Sequence, residues 1–229
     1  MIQGYDLTKE QTEKFDIFYK MLVEWNKKFN LTAITDRDEV EVKHFADSLS
    51  LSDFISSNDI KSMIDVGTGA GFPGIPLKIM FPDLKVTLLD SLNKRVSFLN
   101  AVIDELGFDH IEAVHGRAEE LSRDENYREQ FDLSVSRAVA NLSSLSELCI
   151  PFVKIGGHFV SYKSEKAVEE IERAQNAIHI LGADELKMED YSLDVGGVSN
   201  NRTLIILKKV SQTPDKYPRR AGIPIKKPL

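Results

Sequence analysis

Apolar side chains recur at helical spacing over the first part of the chain and then give way to a different rhythm. The first predicted helix covers residues 8–29, where Thr8 is placed to cap its start. A second helix is predicted from Asp36 through Phe54. Two helices of this length cannot bury a core of their own, so we expect residues 1–59 to pack as a small helical extension on a larger domain.

From residue 60 onward, short apolar runs alternate with amphipathic segments. This alternation predicts an α/β fold, with a seven-stranded, mostly parallel sheet covered by helices on both faces. We place this domain at residues 60–210 and treat residues 211–229 as a C-terminal tail. The predicted strands are 62–66, 85–89, 111–115, 131–136, 157–162, 184–189 and 203–209. The predicted helices between them are 75–80, 94–106, 117–121, 140–153 and 165–181.

The composition is that of an ordinary globular protein, with 42% hydrophobic and 28% charged residues in a chain of 229. No apolar run approaches the roughly 18 residues of a membrane span, and the N-terminus has no signal-peptide pattern. The single cysteine excludes an internal disulfide and fits a reducing compartment, so we expect a cytoplasmic protein without a membrane partner. The five histidines have no metal-ligand spacing, so no metal site is expected.

The net charge of −7 on its face opposes a nucleic-acid partner, but the charges are unevenly placed. Residues 208–229 hold seven Lys or Arg and one Asp, so this end carries +6 and residues 1–207 carry −13. A basic end can be a packed or solvated structural segment, or it can hold RNA phosphates while Tyr217 stacks on an unpaired base. The candidate phosphate contacts in the tail are Lys216, Arg219, Arg220, Lys226 and Lys227.

A glycine-rich stretch, Asp65-Val-Gly-Thr-Gly-Ala-Gly-Phe-Pro-Gly74, follows the first predicted strand. Glycine leaves room for a ligand beside the backbone, and the next helix begins with free N–H donors. The glycine spacing also fits the dinucleotide fingerprint, but the Asp65 carboxylate would repel a pyrophosphate and attract the ammonium of an amino-acid ligand. The stretch resembles the first motif of the Rossmann-like methyltransferases that use S-adenosylmethionine (SAM), in which a late antiparallel hairpin is typical. The cofactor-binding candidates here are Asp65, Gly67, Gly69, Gly71 and Phe72.

Polar residues follow the other predicted strands, at the carboxyl ends where an open parallel sheet binds its ligands. Asp90 ends the second strand and can accept both hydroxyls of a ribose. Ala118 and Glu119 follow the third strand, where a backbone N–H and a carboxylate can read an adenine edge. Arg137 ends the fourth strand and Lys163 the fifth. Each residue alone is compatible with a surface turn, but acids at three successive strand ends after a glycine loop predict a nucleoside site.

The residues around the predicted cleft limit the atom that such an enzyme could methylate. Enzymes that methylate the amines of bases often carry Asn/Asp-Pro-Pro-Tyr/Phe after the fourth strand, whereas residues 136–140 read Ser-Arg-Ala-Val-Ala. Methylation of pyrimidine C5 needs a cysteine nucleophile, but Cys149 lies in a predicted helix and is expected in the core. An acceptor with a free lone pair, such as guanine N7, needs no base and depends on alignment.

Four segments resemble the RsmG family, also called glucose-inhibited division protein B. They are Trp25-Asn-x-x-x-Asn-Leu-Thr32, His44-Phe-x-Asp-Ser-Leu49, the run from Asp65 to Leu77, and Tyr217-Pro-Arg-Arg-x-Gly-x-Pro-x-Lys-x-Pro-Leu229. The resemblance covers essentially the whole chain. It implies a bacterial, cytoplasmic, SAM-dependent enzyme that methylates N7 of one guanine in the 530 loop of 16S rRNA. By motif, it implies cofactor contacts at Gly67, Phe72, Ala118, Glu119 and Arg137.

The resemblance leaves several roles open. No acid or base is obligatory for N7 methylation, so the catalytic residue is unassigned, with Arg137 as the candidate. His44 is either a packed helix residue or an RNA contact, and Lys163 is either a phosphate contact or a solvated side chain. The expected partner is 16S rRNA or the small ribosomal subunit, in an unknown state of assembly. We expect a monomer without a DNA partner.

Two other interpretations remain from the residues themselves. The first is a SAM-dependent methyltransferase that acts on a protein or a small molecule, for which an acidic body would suffice. The second is a nucleotide-binding oxidoreductase or a non-catalytic Rossmann module. Asp65 opposes this second interpretation, as does the large side chain of Phe72.

Overall fold

A seven-stranded sheet with the order β3-β2-β1-β4-β5-β7-β6 forms the centre of the computed structural model. The structure describes residues 2, 4–137, 139–164 and 167–229. The strands are β1 (Ser62–Val66), β2 (Lys85–Asp90), β3 (Ile111–His115), β4 (Phe131–Arg137), β5 (Val153–Lys163), β6 (Ala183–Val195) and β7 (Val198–Lys209). The main helices are α1 (Lys9–Phe29), α2 (Arg37–Val40), α3 (Asp47–Leu49), α4 (Ser52–Ser57), α5 (Gly74–Met80), α6 (Asn93–Leu106), α7 (Ala118–Leu121), α8 (Leu142–Cys149), α9 (Ala167–Ile180) and α10 (Ile223–Lys226).

The first five strands are parallel, whereas β7 is antiparallel to both β5 and β6. This arrangement confirms the predicted α/β fold with its late hairpin. The hairpin strands are longer than predicted, because residues 183–195 and 198–209 continue to pair up to a tight turn at Gly196 and Gly197. The predicted helix at 140–153 ends at Cys149, where a 3-10 turn containing Pro151 leads into β5.

The N-terminal helices differ in part from the prediction. Thr8 and Gln11 form the predicted capping box at the start of α1. The second predicted helix begins as expected with Asp36 as its cap, but it does not continue evenly to Phe54. A π-helical segment, Glu41–Ala46, joins α2 to α3, and the helix stops before α4. Because a π turn holds an extra residue, it rotates the side chains that follow it relative to a regular α-helix.

The N-terminal helices pack on one face of the sheet and share its hydrophobic core. Phe18 of α1 is fully buried, and its ring lies 5.3 Å from that of Phe72 and 6.4 Å from that of Phe98. Phe45 adds a ring 5.7 Å from Phe18. The opposite face of the sheet is covered by α7, α8 and α9 and by part of the tail. The predicted boundaries at residues 59 and 210 therefore separate segments of one packed unit, and they stay a prediction.

Replacement of Phe18 by Ala tests how far the N-terminal helix contributes to the shared core. Loss of a fully buried phenyl ring is expected to lower the free energy of unfolding by about 3–5 kcal/mol. Urea unfolding followed by circular dichroism gives this value. The control is Leu92→Ala, since Leu92 is 44% exposed and its loss should change stability by less than about 0.5 kcal/mol. Equal effects of the two substitutions would contradict a shared core.

Candidate active site

The glycine loop after β1 is held from below by Asp65. Its carboxylate is fully buried, and its Oδ2 atom accepts hydrogen bonds from Thr68 Oγ1 at 2.7 Å and from the Gly74 N–H at 2.9 Å. A side chain at position 74 would collide with Leu88 and crowd this oxygen, so the close approach requires glycine. Asp65 therefore shapes the loop and the start of α5, and any effect on a ligand ammonium acts through the loop.

The same loop is fixed laterally to the end of β2. The N–H groups of Gly67 and Thr68 donate to the Leu89 carbonyl at 2.9 and 3.1 Å, and the Gly69 N–H donates to Asp90 Oδ2 at 2.9 Å. Gly67, Gly69 and Gly71 all have positive φ angles, a conformation that L side chains rarely adopt. The predicted glycine positions are thus explained by backbone geometry.

Asp90 lies at the predicted position at the end of β2 but is almost fully buried. Besides Gly69, it accepts hydrogen bonds from the Leu92 N–H at 2.9 Å and from Arg95 Nη1 at 3.1 Å. A carboxylate offers about four acceptor positions, so one remains for a ribose hydroxyl. Movement of Arg95 away from Asp90 would free a second position. Arg95 is a site residue that strand-end reasoning missed, because it lies in the first turn of α6 and not at a strand end.

Two adjacent cavities lie over the loop, and both are lined by Gly67, Asp90, Ser91 and Val139. The larger, of about 410 Å³, is lined by Asp90 and by five residues of the loop: Gly67, Thr68, Gly69, Ala70 and Phe72. The predicted Gly71 does not line it, because a Cβ at this position would face Ile75 and Leu99. The smaller, of about 160 Å³, is lined by Ala118 and Glu119, by apolar side chains from β1, β2, α8 and α10, and by the charged residues Asp90 and Arg117. Val139 borders both cavities and lies so close to Gly67 that a Cβ there would be 2.6 Å from it. Ala138, its neighbour in the sequence, lies outside the described residues.

A third cavity, of about 530 Å³, adjoins the loop cavity and shares His44, Arg137 and Val139 with it. The His44 ring stacks on Phe72 with centroids 4.6 Å apart, and its Nε2 lies 2.9 Å from Thr32 Oγ1. Burial, reinforced by the charge of Arg137, lowers the pKa of His44 to about 4. A neutral imidazole at physiological pH therefore forms the boundary between the loop cavity and the third cavity.

Arg137 is held by a buried carboxylate that the sequence prediction did not assign to the site. Its Nη1 atom donates to Asp47 Oδ2 at 2.6 Å and to the Lys43 carbonyl at 3.3 Å. Asp47 also accepts a hydrogen bond from Tyr191 Oη at 2.8 Å and lies 3.9 Å from Arg202. The signal was present in the His44-Phe-x-Asp47 motif, but only the fold shows that this aspartate meets the end of β4.

The remaining strand-end candidates have partners within the protein. Lys163 is mostly buried, and its Nζ binds Glu170 at 2.7 Å and the Ala140 carbonyl at 2.8 Å. It still lines the third cavity, so its role toward a phosphate stays a prediction. Glu119 accepts the Gly222 N–H of the tail on its Oε1 atom at 2.8 Å. Its Oε2 atom forms no hydrogen bond within the described part of the chain.

Two tail residues that were predicted to contact RNA are packed within the protein. The Tyr217 ring is 7% exposed, so it cannot stack on a base without leaving the core, and that expectation is corrected. Arg219 forms an ion pair with the buried Glu147, with distances of 2.6–3.1 Å, and is not a free phosphate contact in this conformation. The other tail cations are exposed: Lys216, Arg220, Lys226 and Lys227.

The residues present fit SAM as the ligand of the two smaller cavities. The loop cavity has free space over glycine backbone, and Asp65 is buried behind this loop with no hydrogen-bond partner for its Oδ1 atom among the described residues. An ammonium in this cavity would be attracted to that uncompensated charge. The smaller cavity combines apolar walls with the free oxygen of Glu119, which suits an adenine ring and its amino group.

Other chemistries find less support in the described residues. Cys149 is fully buried, and burial raises the pKa of its thiol, so it is not an accessible nucleophile. No three His, Cys, Asp or Glu side chains in the described ranges lie close enough together to hold a metal ion. None of the described helices combines the length and apolar composition that a membrane span requires.

The buried Asp65 predicts a pH-dependent stability. Burial raises the pKa of its carboxyl to about 6 from 3.8, so the folded state binds this proton more tightly than the unfolded chain does. The free energy of unfolding should therefore fall by up to about 3 kcal/mol from pH 4 to pH 7 relative to Asp65→Asn. Urea unfolding of both proteins across this range measures the difference, in which other titrating groups cancel. A difference that stays constant with pH would show that the buried carboxyl keeps an ordinary pKa.

Comparison with solved structures shows the fold that carries this site. An O-methyltransferase from Bacillus cereus, in complex with SAH, matches 90% of this chain and 94% of its own, with a TM-score of 0.61 and 15% identity. A putative O-methyltransferase from Klebsiella pneumoniae matches 83% of this chain and 90% of its own, with a TM-score of 0.56 and 15% identity. At this identity the likeness establishes the Rossmann-like methyltransferase fold.

Comparison with known sequences identifies the family as well as the fold. Residues 11–195 match the model of the family described as rRNA small subunit methyltransferase G. Ribosomal RNA small subunit methyltransferase G of Lachnoclostridium phytofermentans is 54% identical over 99% of this chain and 93% of its own length. The corresponding protein of Brevibacillus brevis is 50% identical over 99% and 94%. The chain thus belongs to the ribosomal RNA small subunit methyltransferase G family.

Proposed function

We propose that this protein transfers the methyl group of SAM to N7 of one guanine in the 530 loop of 16S rRNA. The observation that carries this proposal is the meeting of two cavities at His44 and Arg137. One cavity suits a nucleoside cofactor, and the other has room for a second nucleoside. The family membership of the chain favours ribosomal RNA as the source of that second nucleoside.

The groups at the junction favour an acceptor that needs no deprotonation. When bound, SAM supplies an electrophilic methyl group on a sulfonium centre. His44 is a weak base, since its pKa is lowered to about 4, and Arg137 is ion-paired to Asp47. Guanine N7 carries a lone pair at neutral pH, so these residues would only have to position it. Alignment in a near-attack geometry can contribute several kcal/mol to the rate.

Arg137 is proposed as the main positioning group at this junction. Its guanidinium lies 5.1 Å from the centre of the Phe72 ring and is fixed by Asp47, so it keeps one orientation. Donors on a fixed guanidinium suit the O6 acceptor beside guanine N7 or the carboxylate of the cofactor. Either contact would orient the methyl donor and the acceptor without transferring a proton.

The proposed setting follows from this substrate. We propose a cytoplasmic enzyme whose partner is 16S rRNA or the small ribosomal subunit, and which acts as a monomer without binding DNA. A protein or small-molecule acceptor remains the alternative, but no contact described around the third cavity specifically favours one. Dinucleotide binding is disfavoured because Asp65 occupies the N–H of Gly74 at the start of α5, where a pyrophosphate would dock.

The direct test of the proposed function is methylation of purified rRNA and purified 30S particles, both from a strain that lacks the modification. With labelled SAM, we expect one 7-methylguanosine in the 530 loop, because the junction offers alignment but no base. Nuclease digestion with mass spectrometry identifies the nucleoside, and chain cleavage at 7-methylguanosine locates it. Cys149→Ala should retain activity, since its thiol is fully buried.

Three outcomes would contradict the proposal. Methyl transfer to a base carbon or an exocyclic amine would refute the N7 assignment, as would a covalent adduct between RNA and Cys149. Methylation of ribosomal proteins without methylation of RNA would favour the alternative substrate class. Comparison of free rRNA with 30S particles would also define the assembly state that the enzyme uses.

The exposed tail cations are proposed to contact RNA phosphates. Replacement of Arg220, Lys226 and Lys227 by Ala should raise the RNA KM. The slope of log KM against log salt concentration should fall by about two, because three phosphate contacts are lost. Methyl transfer measured at several salt concentrations gives both values. Thermal unfolding should be unchanged, because these side chains are exposed.

A matched control removes the same number of charges elsewhere. The control replaces three exposed lysines that lie outside the tail. Lys9 starts α1 and is 91% exposed, Lys61 precedes β1 and is 72% exposed, and Lys187 lies on the edge strand β6 and is 66% exposed. Their replacement by Ala changes the net charge equally, so it should leave the salt slope unchanged. An equal change of slope in both triple variants would attribute the effect to overall charge and not to the tail.

A further inference from the structure

The C-terminal tail reaches the smaller of the two cavities over the loop. Ile225 of the tail lines this cavity together with Val66, Leu89 and Ala118. Its side chain is 48% exposed, so part of its surface is accessible to a ligand in this cavity. With Val139, which is 42% exposed, it forms an apolar margin around the cavity.

One face of α8 holds the tail in this position. Ser144 Oγ donates to the Pro224 carbonyl at 2.8 Å, and the buried Glu147 binds the Arg219 backbone N–H at 2.7 Å as well as its guanidinium. Leu148, on the same face of α8, lines the cavity beside Ile225. The positions 144, 147 and 148 are spaced to lie on one side of a helix, so a single rigid element holds both the tail and the cavity wall.

The tail also touches the polar side of the cavity. The Gly222 N–H donates to Glu119 Oε1 at 2.8 Å, which fixes the carboxylate and leaves Oε2 available. Gly222 has a φ of 78°, a left-handed conformation that turns the chain toward Glu119. The segment from Gly222 to Ile225 thus fixes the hydrogen-bonding group of the cavity and contributes part of its apolar surface.

From these contacts we infer that the tail segment 222–225 is the outer wall of the adenine subsite, with Ile225 packing on the face of the purine. This assignment rests on the proposed cofactor and extends it to a segment that the sequence indicated only as an RNA contact or a packed end. A purine ring has two apolar faces and an edge of donors and acceptors. Ile225 and Val139 offer apolar surface for a face, and Glu119 offers an acceptor for the exocyclic amine.

The test is calorimetric binding of two ligands that share adenosine, S-adenosylhomocysteine and 5′-methylthioadenosine. Ile225→Ala should weaken both by a similar factor, about ten-fold, because both lose the same contact with the base. Ile225→Val should restore affinity to within about three-fold of the wild type. The matched control is Ile155→Ala, since Ile155 is 54% exposed and lies near the start of β5. It is the other end of this strand, at Tyr162 and Lys163, that lines a cavity of the candidate site.

The two ligands separate contact with the base from contact with the amino-acid end of the cofactor. Unchanged binding by Ile225→Ala would overturn the inference, as would a loss for S-adenosylhomocysteine alone, which would locate the effect at the amino-acid end of the ligand. The melting temperature of the ligand-free variant should equal that of the wild type, because the side chain is half-exposed; a large fall would assign Ile225 to the core instead. Failure of the wild type to bind either ligand would refute the proposed cofactor together with its wall.

Discussion

The buried carboxylate of Asp65 is the constraint on which the site depends. Burial of a charge is costly, and only two hydrogen bonds among the described residues, from Thr68 and Gly74, offset that cost for this side chain. The same two bonds fix the loop in a shape that exposes glycine backbone to the cleft, and the first N–H of α5 is no longer free for a phosphate. One residue thereby shapes the loop beside the cavity and favours an amino-acid cofactor over a dinucleotide there.

An ion pair joins the N-terminal helices to the sheet. Asp47 follows the π-helical segment, and Arg137 ends β4, so their ion pair links the extension to the strand ends where the site lies. His44, from within the π segment, stacks on Phe72 of the glycine loop. The extension is therefore part of the candidate active site as well as of the core. A truncated protein without it would lose a wall of the loop cavity and of the third cavity.

Several charged side chains of this chain are paired within the protein, so the sequence overstates the charge that is available to a partner. Arg219 holds Glu147, Lys163 holds Glu170, and Glu129 holds the buried Lys209. The tail consequently packs on α8 as a strap and also presents exposed cations to solvent. Packing of the strap and contact with RNA are therefore compatible, since they use different side chains of the same segment.

The sequence alone determined the fold class, the approximate positions of the strands and the location of the glycine loop, because periodicity, glycine spacing and strand-end acids are local signals. It also indicated guanine N7 as the acceptor, because residues 136–140 lack the motif of enzymes that methylate base amines and the single cysteine was expected in the core. Only the tertiary structure decided how these groups are used. Asp47 and Ile225 lie far in sequence from the groups that they meet, and nothing local marks a helix residue as the partner of a distant strand end. Burial likewise turned Tyr217 and Arg219 from expected RNA contacts into packing groups, since exposure is a property of the fold and not of the residue type.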